Sequence, residues 1–322
     1  MEKEDLIKRL RERLSKEGVT IENTQISEEE TSKKSYEISV PGKTAEKIAE
    51  TLYNIFKPGI SEEEWRKKFM MAISGDGQEL RRITTLHSSS LLALLFFCSV
   101  NKTNPIEIGE ITFDKVYFEV KNKVFKNANP KDKPSNVDIM LVSNDNKTIL
   151  FLESKFTEYE QNGKVEVSEK YHNFYSHLLD VIPNNLKFCN GVLELKEGRN
   201  SQYIYGIKQM FSHLIGLLTE PWNENSDQIK EVIRNAERME LGCIVFNWNQ
   251  SLYKKYNDFY NNTFQYFENP SIILEKCLDA DEVNKEKISK LSILPNLLSY
   301  QDILRKNPSF KLSKEIKRFY NL

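Results

Sequence analysis

Two short apolar segments separated by a polar turn constrain the fold of this chain more than any other feature. Residues 137–143 and 148–156 are rich in Val, Ile, Leu and Phe, and Asn144-Asp145-Asn146-Lys147 stands between them. Asn and Asp tolerate the positive φ angles that tight hairpin turns require. The pattern therefore predicts a β-hairpin.

The hairpin register decides which side chains come together at its open end. If Asp145 and Asn146 form the loop, Asp138 faces Glu153. Directly opposed residues lie on one face of a sheet with Cβ atoms about 5 Å apart, and Lys155, two residues beyond Glu153, lies on that face too. A three-residue loop would shift this register by one residue.

The chemistry of this charged group points to a metal ion. Residues 149–152 are apolar on both faces, which is typical of an interior strand, where an unpaired charge is costly. Two carboxylates repel each other unless a cation lies between them, and Mg²⁺ or Mn²⁺ prefers such oxygen ligands. With Lys155 beside a phosphate or an attacking water, Asp138 and Glu153 predict phosphodiester hydrolysis. The alternative is an exposed charged cluster that keeps a strand edge soluble.

Other patterns predict helices on both sides of the hairpin. A capping box, Ser61 with Glu64, starts one of them. Helices are expected at 3–16, 44–57, 61–73, 78–99, 168–181, 202–219 and 225–239, and further strands at 111–125 and 241–248. The order of helices, strands, helices and a final strand predicts an α/β fold with a mixed sheet flanked by helices.

Length and composition favour a soluble globular protein. Of the 322 residues, 39% are hydrophobic, and 46 Lys and Arg balance 47 Asp and Glu. The longest apolar run, Leu91 to Val100, is about half of what a membrane-spanning helix needs, and the first residues carry no apolar targeting region, so we expect a cytoplasmic protein. We expect a nuclease-like core at 61–250, with mostly helical elaborations at 1–60 and 251–322.

The charged hairpin resembles the PD-(D/E)xK nuclease superfamily, which has the restriction-endonuclease-like fold. In that superfamily an Asp begins one strand, and the next strand carries Glu-x-Lys after an apolar stretch. Asp138, Glu153 and Lys155 match these positions, whereas Val137 stands where the motif's name has Pro. The resemblance covers about Gly75 to Leu218.

This resemblance implies three further site residues. The backbone carbonyl of Ser154 would be an additional metal ligand, Glu79 an acidic residue on a helix before the sheet, and Gln209 a residue on a helix after it. Glu79 is equally explained as a first-turn acid favoured by the helix dipole, and Asp76 is a weaker alternative to it. Gln209 lies opposite the apolar stripe of its helix, where solvent exposure or a second packed face beside the sheet would explain it.

The four histidines give a weaker signal. His87, His172, His177 and His213 include no His-x-x-x-His pair, so the sequence does not indicate a zinc hydrolase. His87 falls in the buried stripe of its predicted helix and is expected in the core. His213 is four residues from Gln209 and could line the same site.

A run of lysines precedes the hairpin. Six lysines lie between 115 and 133, and we take Lys121, Lys123 and Lys126 as candidate nucleic-acid ligands, although a solvated strand edge and loop is the simpler explanation. The expected function is a Mg²⁺- or Mn²⁺-dependent nuclease acting on DNA, since the resembled superfamily mostly cleaves DNA. The rival hypothesis is a noncatalytic protein that keeps this fold to bind nucleic acid or a partner.

Overall fold

A mixed β-sheet with helices on both of its faces lies at the centre of the molecule. The computed structural model describes residues 2–25, 34–74, 79–122, 134–157, 165–181, 186–196, 204–218, 225–267 and 285–322. The predicted α/β class is confirmed.

The described residues form groups of helices and groups of strands in succession. In order they are α1 (Lys3–Lys16), β1 (Ile21–Gln25), β2 (Lys34–Ile38), α2 (Ala45–Phe56), α3 (Glu62–Ala72), α4 (Glu79–Arg82), α5 (Ser89–Phe97), β3 (Ile106–Ile108), β4 (Ile111–Asn122), β5 (Ser135–Ser143), β6 (Thr148–Lys155), β7 (Val165–Glu166), α6 (His172–Val181), β8 (Leu186–Cys189), β9 (Val192–Leu195), α7 (Ile204–Leu217), α8 (Asp227–Asn235), β10 (Arg238–Val245), α9 (Gln250–Phe264), α10 (Lys285–Lys290), β11 (Leu291–Ile293), β12 (Leu298–Ser299), α11 (Tyr300–Lys306) and α12 (Lys314–Tyr320). Short 3₁₀ helices add Glu169–Tyr171 and Gln265–Phe267.

The central sheet has the order β11-β10-β6-β5-β4-β3, and β12 also pairs with β10. The pairs β3–β4, β4–β5 and β5–β6 are antiparallel, whereas β10 is parallel to β6, β11 and β12. Strand β6 therefore lies in the interior of the sheet, as its apolar sequence predicts.

The predicted hairpin and its register are confirmed. Met140 pairs with Phe151 and Val142 with Ile149, the alignment that a two-residue loop requires. Asn146 has the expected positive φ of 62°. Because the register is the predicted one, β5 and β6 carry Asp138 and Glu153 to the same end of the hairpin.

Helices α5 and α7 pack against the strands of the hairpin. Every residue of α5 from Leu91 onward is buried. On α7, a Cβ atom at Gly216 would lie 3.0 Å from the Cβ of Asn122 on β4. The missing side chain thus lets α7 approach the sheet closely, and the second packed face expected for this helix is present.

The single helix expected at 78–99 is wrong. The chain instead forms α4 and α5, with Thr84 to Leu86 between them beside β2. Ile38 donates its N–H to the Thr84 carbonyl at 2.9 Å, and Leu86 donates to Tyr36 at 2.9 Å. Ser88 then accepts the Leu91 N–H and starts a new helix. Long-range hydrogen bonding and a local cap together interrupt the helical pattern. His87, which the helical pattern places in the core, is only half-buried.

The segment after α7 also differs from the prediction in its boundaries. The helix expected to reach residue 239 ends at Asn235, and the strand expected from 241 already begins at Arg238. The backbone N–H groups of Glu237 and Arg238 both donate to the Lys147 carbonyl. Pairing with the start of β6 therefore fixes the beginning of β10. The small sheet of β7, β9 and β8 was not predicted.

The ends of the chain pack against each other. Arg13 on α1 donates to the Phe319 carbonyl on α12 at 2.7 Å, and the rings of Phe56 and Phe319 lie 5.2 Å apart. Helices α1, α2 and α12 thus form one group at the two termini. None of the helices in the described residues combines the length and the apolar character needed to cross a membrane.

Candidate active site

The candidate active site lies where β5 and β6 stop pairing. The last cross-strand pair is Ile139 with Leu152, one step before Asp138 and Glu153. Beyond it, the Ser154 N–H donates to Oδ2 of Asp138 at 2.7 Å. The Asp138 carboxylate therefore accepts the β6 N–H that a backbone carbonyl of β5 would accept if the two strands were still paired.

The backbone of β6 directs a carbonyl to the same place. The Lys155 carbonyl accepts a 2.9 Å hydrogen bond from Phe246, on the side of β10. Because the polar backbone groups of successive strand residues point to opposite sides, those of Ser154 point toward β5. The Ser154 carbonyl, expected as a metal ligand, thus faces the side of the strand on which Asp138 lies.

Glu153 is the centre of a buried charge cluster. Its Oε1 forms an ion pair with Nζ of Lys155, and its Oε2 lies 2.7 Å from Nε2 of His213. Only 2% of Glu153 and 5% of Lys155 is exposed. Burial by itself raises the pKa of the Glu153 carboxyl, but attraction to Lys155 and His213 outweighs it and lowers this pKa to about 2.

Helix α7 completes the cluster with two residues one turn apart. Nζ of Lys155 donates to Oε1 of Gln209 at 2.7 Å. His213, four residues later, holds Glu153 through Nε2, and its Nδ1 lies 2.6 Å from the Ser135 hydroxyl on β5. Side chains four apart on a helix share a face, so α7 binds both charged residues of β6 with one face.

Strand β10 closes the cluster from the other side. Cys243 is the register partner of Glu153 in the parallel β6–β10 pair. Burial raises the pKa of the Cys243 thiol to about 12, so this neighbour is a neutral group. Tyr256 on α9 contacts the Cys243 sulfur at 3.9 Å. Because Cys243 carries no charge, the negative charge of Glu153 is balanced by Lys155 and not by a group on β10.

The oxygen atoms at this site fit a hard divalent cation. Asp138 and Glu153 supply carboxylates and Ser154 supplies a carbonyl, a set of oxygen ligands that suits Mg²⁺ or Mn²⁺. A carboxylate oxygen that accepts one hydrogen bond keeps a second lone pair for a metal. Within the described ranges no three His, Cys, Asp or Glu side chains lie close enough to form a metal cluster. Mg²⁺ is usually held in proteins by one or two carboxylates, with waters and substrate oxygens completing its octahedron.

Glu79 is not joined to the cluster. It is the first residue of the four-residue helix α4 and is half-buried. Its Oε2 is buried and has no hydrogen-bond partner in the part of the chain that the structure describes. No hydrogen bond or ion pair there links Glu79 to Asp138, Glu153 or Lys155. Asp76, the weaker alternative, lies outside the described residues.

Of the three candidate lysine ligands, only Lys121 lies within the described residues. Its backbone N–H donates to Oδ1 of Asn225 at 3.1 Å, and Asn225 donates back to its carbonyl at 2.6 Å. Lys121 lines a cavity of about 720 Å³ between β4, α3 and α8. The charged residues lining this cavity are of both signs: Glu64, Lys67, Lys68, Asp114, Lys115, Glu119 and Lys121. The described wall of this cavity is therefore not uniformly basic.

Sequence reasoning gave only a weak signal for His213, a partner of Glu153, and missed Ser135, which contacts His213. The weak signal is the spacing of His213 four residues after Gln209, which puts both side chains on the face of α7 that contacts β6. Ser135 carried no signal, because its contact with His213 joins residues 78 positions apart. Both side chains are buried.

Comparison with known proteins identifies one family. The model of the family described as "Restriction Endonuclease associating with ARP" matches residues 16–237, more than two thirds of the chain. The match contains the whole charge cluster and extends beyond the Gly75–Leu218 segment on both sides. No curated protein and no solved structure gives a significant match.

Proposed function

Because this chain belongs to the family of restriction endonucleases associating with ARP, we propose that it is a metal-dependent nuclease with a PD-(D/E)xK site. The observation that carries the proposal is the buried Glu153–Lys155 pair beside Asp138, at the end of an otherwise apolar hairpin. A buried ion pair usually stabilises a protein no better than well-packed apolar residues do. Catalysis accounts for this cluster better than stability does.

The protein's own groups would hold the metal and the lysine in fixed positions. Asp138, Glu153 and the Ser154 carbonyl would be the metal ligands. A Mg²⁺ or Mn²⁺ ion bound there would stabilise charge on the phosphorus and lower the pKa of a bound water. Gln209 holds the Lys155 amine by a 2.7 Å hydrogen bond, so this amine is fixed before a substrate arrives.

Lys155 would act mainly on the transition state. Its positive charge, shared between Glu153 and Gln209, lies one strand residue beyond Ser154. Negative charge on the phosphate group increases as the water attacks, and a fixed cation stabilises that state more than the bound substrate. Replacing Lys155 with Ala should therefore reduce kcat far more than DNA affinity.

DNA is the proposed substrate, because the resembled superfamily mostly cleaves DNA. Lys121, Lys123 and Lys126 are proposed to contact its phosphates. Replacing all three with Ala should weaken binding irrespective of DNA sequence and make the dependence of log affinity on log salt concentration shallower. An unchanged salt dependence would place the DNA contacts elsewhere. The family description also names ARP as an associated component, and we propose that the nuclease acts together with it.

A cleavage assay tests this proposal. Supercoiled plasmid, linear duplex DNA and RNA are incubated with the protein in Mg²⁺, in Mn²⁺ and in a chelator. We expect metal-dependent cleavage of DNA that is lost in Asp138→Ala and Glu153→Ala and kept in Glu231→Ala, which removes an exposed acid on α8. If the wild-type protein binds nucleic acid but cleaves none in either metal, the noncatalytic alternative is correct.

A further inference from the structure

We propose that His213 is a positioning residue that holds the Glu153 carboxylate in the orientation needed to bind the metal ion. The inference rests on the proposed nuclease function and extends it to a residue outside the PD-(D/E)xK motif. His213 itself would touch neither metal nor substrate, because it acts through Glu153.

Three groups in line support this role. The Ser135 hydroxyl lies 2.6 Å from Nδ1 of His213, and Nε2 of the same ring lies 2.7 Å from Oε2 of Glu153. All three residues are at least nine-tenths buried. A neutral imidazole that donates from Nε2 must accept at Nδ1, and the Ser135 hydroxyl is the donor available there. The ionised carboxylate of Glu153 can only accept and so requires the N–H at Nε2, and the hydrogen bond between Nδ1 and the Ser135 hydroxyl holds the ring in that orientation.

The two oxygens of Glu153 are held from different directions. Lys155 holds Oε1 from within β6, and His213 holds Oε2 from α7. Without His213, the Lys155 amine would still hold Oε1, and the carboxylate could rotate toward that amine. Rotation would move the second oxygen out of the orientation that the His213 hydrogen bond fixes. Outer hydrogen bonds of this kind typically change metal affinity by about 10- to 100-fold.

Helix α7 thus contacts both charged residues of β6. Gln209 binds the amine of Lys155, and His213 binds the carboxylate of Glu153 one turn later. Since both contacts come from one helical face, α7 holds the pair as a unit. Gly216, further along α7, permits the close approach to β4 that brings this face over the sheet.

Metal affinity and rescue by a similar side chain separate positioning from a merely structural role. We would measure Mn²⁺ binding by isothermal titration calorimetry on the wild-type chain, His213→Leu and His213→Gln, and check each fold by circular dichroism. His177→Leu is the matched control, because His177 is an exposed histidine whose Nδ1 lies 2.8 Å from the Asn173 carbonyl of its own helix.

We expect His213→Leu to bind Mn²⁺ about 10- to 100-fold more weakly than the wild-type protein. His213→Gln should recover most of this loss, because its amide can donate to Glu153, and His177→Leu should not differ from wild type. A folded His213→Leu protein with wild-type Mn²⁺ affinity would overturn the inference. Wild-type protein that binds no Mn²⁺ would instead contradict the proposed nuclease function itself.

A second variant covers the case in which His213→Leu does not fold. Ser135→Ala keeps the imidazole beside Glu153 and removes only the donor to Nδ1. We expect weaker Mn²⁺ binding by Ser135→Ala, because the His213 ring loses the hydrogen bond that holds it in the orientation that donates to Glu153. Unchanged affinity in this variant would also overturn the inference.

Discussion

The two faces of β6 carry buried polar residues of different kinds. On the face toward α7, Glu153 and Lys155 form a charged pair. On the opposite face, the Ser154 hydroxyl lies 2.7 Å from the Tyr300 hydroxyl and donates to the Ser89 carbonyl at 3.3 Å. All three of these β6 residues are at most 5% exposed. Burial alone therefore does not distinguish the face that carries charge from the face that carries neutral hydroxyls.

The difference lies in what each face requires from its neighbours. A buried charge needs an opposite charge or several donors, and Glu153 has both Lys155 and His213. A buried hydroxyl needs only one or two ordinary hydrogen bonds, which Tyr300 and Ser89 supply. Changes on the α7 face should therefore cost more stability, and depend more on pH, than changes on the opposite face.

The largest effect is expected for Lys155→Met. This change leaves Glu153 as a buried carboxylate without its cation, which typically costs about 3–5 kcal/mol. Urea unfolding at neutral pH measures the loss, and Lys254→Met on the exposed side of α9 is the control. If Lys155→Met were destabilised no more than this control, the Glu153–Lys155 ion pair would not contribute to the stability of the fold.

Acid should also remove the stabilisation that the charged Glu153 carboxylate provides. The pKa of Glu153 is lowered from 4.5 to about 2 in the folded protein, so the carboxylate stabilises the fold above pH 4.5 and loses this contribution as the pH falls toward 2. The loss in this window is on the order of 3 kcal/mol. In Glu153→Gln, the free energy of unfolding should decline less steeply over the same window. If the free energy of unfolding fell equally steeply with pH in the wild-type protein and in Glu153→Gln, Glu153 would not have the lowered pKa described here.

The smallest effect is expected on the opposite face. Ser154→Ala and Tyr300→Phe each remove one hydroxyl of a neutral pair, and each should cost about 1 kcal/mol. Their double variant should cost less than the sum of the two, because both single changes break the same bond. Metal-dependent cleavage should persist in Ser154→Ala, since the proposed metal ligand is its backbone carbonyl. If either single variant lost as much free energy of unfolding as Lys155→Met, the two faces would not differ in this respect.

Local patterns were enough to predict the hairpin and the residues at its end. Turn residues such as Asn146 and the strand alternation around it fix the register within a few positions of sequence. The contact between Lys155 and Gln209 agrees with the place that the resemblance gave Gln209. Catalytic roles for these residues remain proposals.

Features that depend on tertiary packing could not be predicted from the sequence. The pairing of Leu86 with Tyr36 interrupts a segment whose apolar spacing is helical. Ser135 meets His213 only because α7 crosses the sheet at a particular rotation, and neither residue's neighbours in sequence indicate that rotation. Lys123 and Lys126 lie outside the described residues.

Asp138→Asn separates metal chemistry from stability better than any change in the Glu153 cluster. The Asn side chain is nearly isosteric with Asp and keeps an oxygen that can accept the Ser154 N–H bond. The free energy of unfolding should therefore change by no more than about 1 kcal/mol. Loss of the negative charge weakens the proposed metal site directly.

The most direct test of the account is the rate of DNA cleavage by Asp138→Asn in Mg²⁺, measured beside the wild-type protein under single-turnover conditions. We predict cleavage by the wild-type protein and a rate at least about 100-fold lower in the variant, because the metal contributes several kcal/mol to the transition state. Equal rates in the two proteins would contradict the claim that Asp138, Glu153 and Lys155 form the catalytic site.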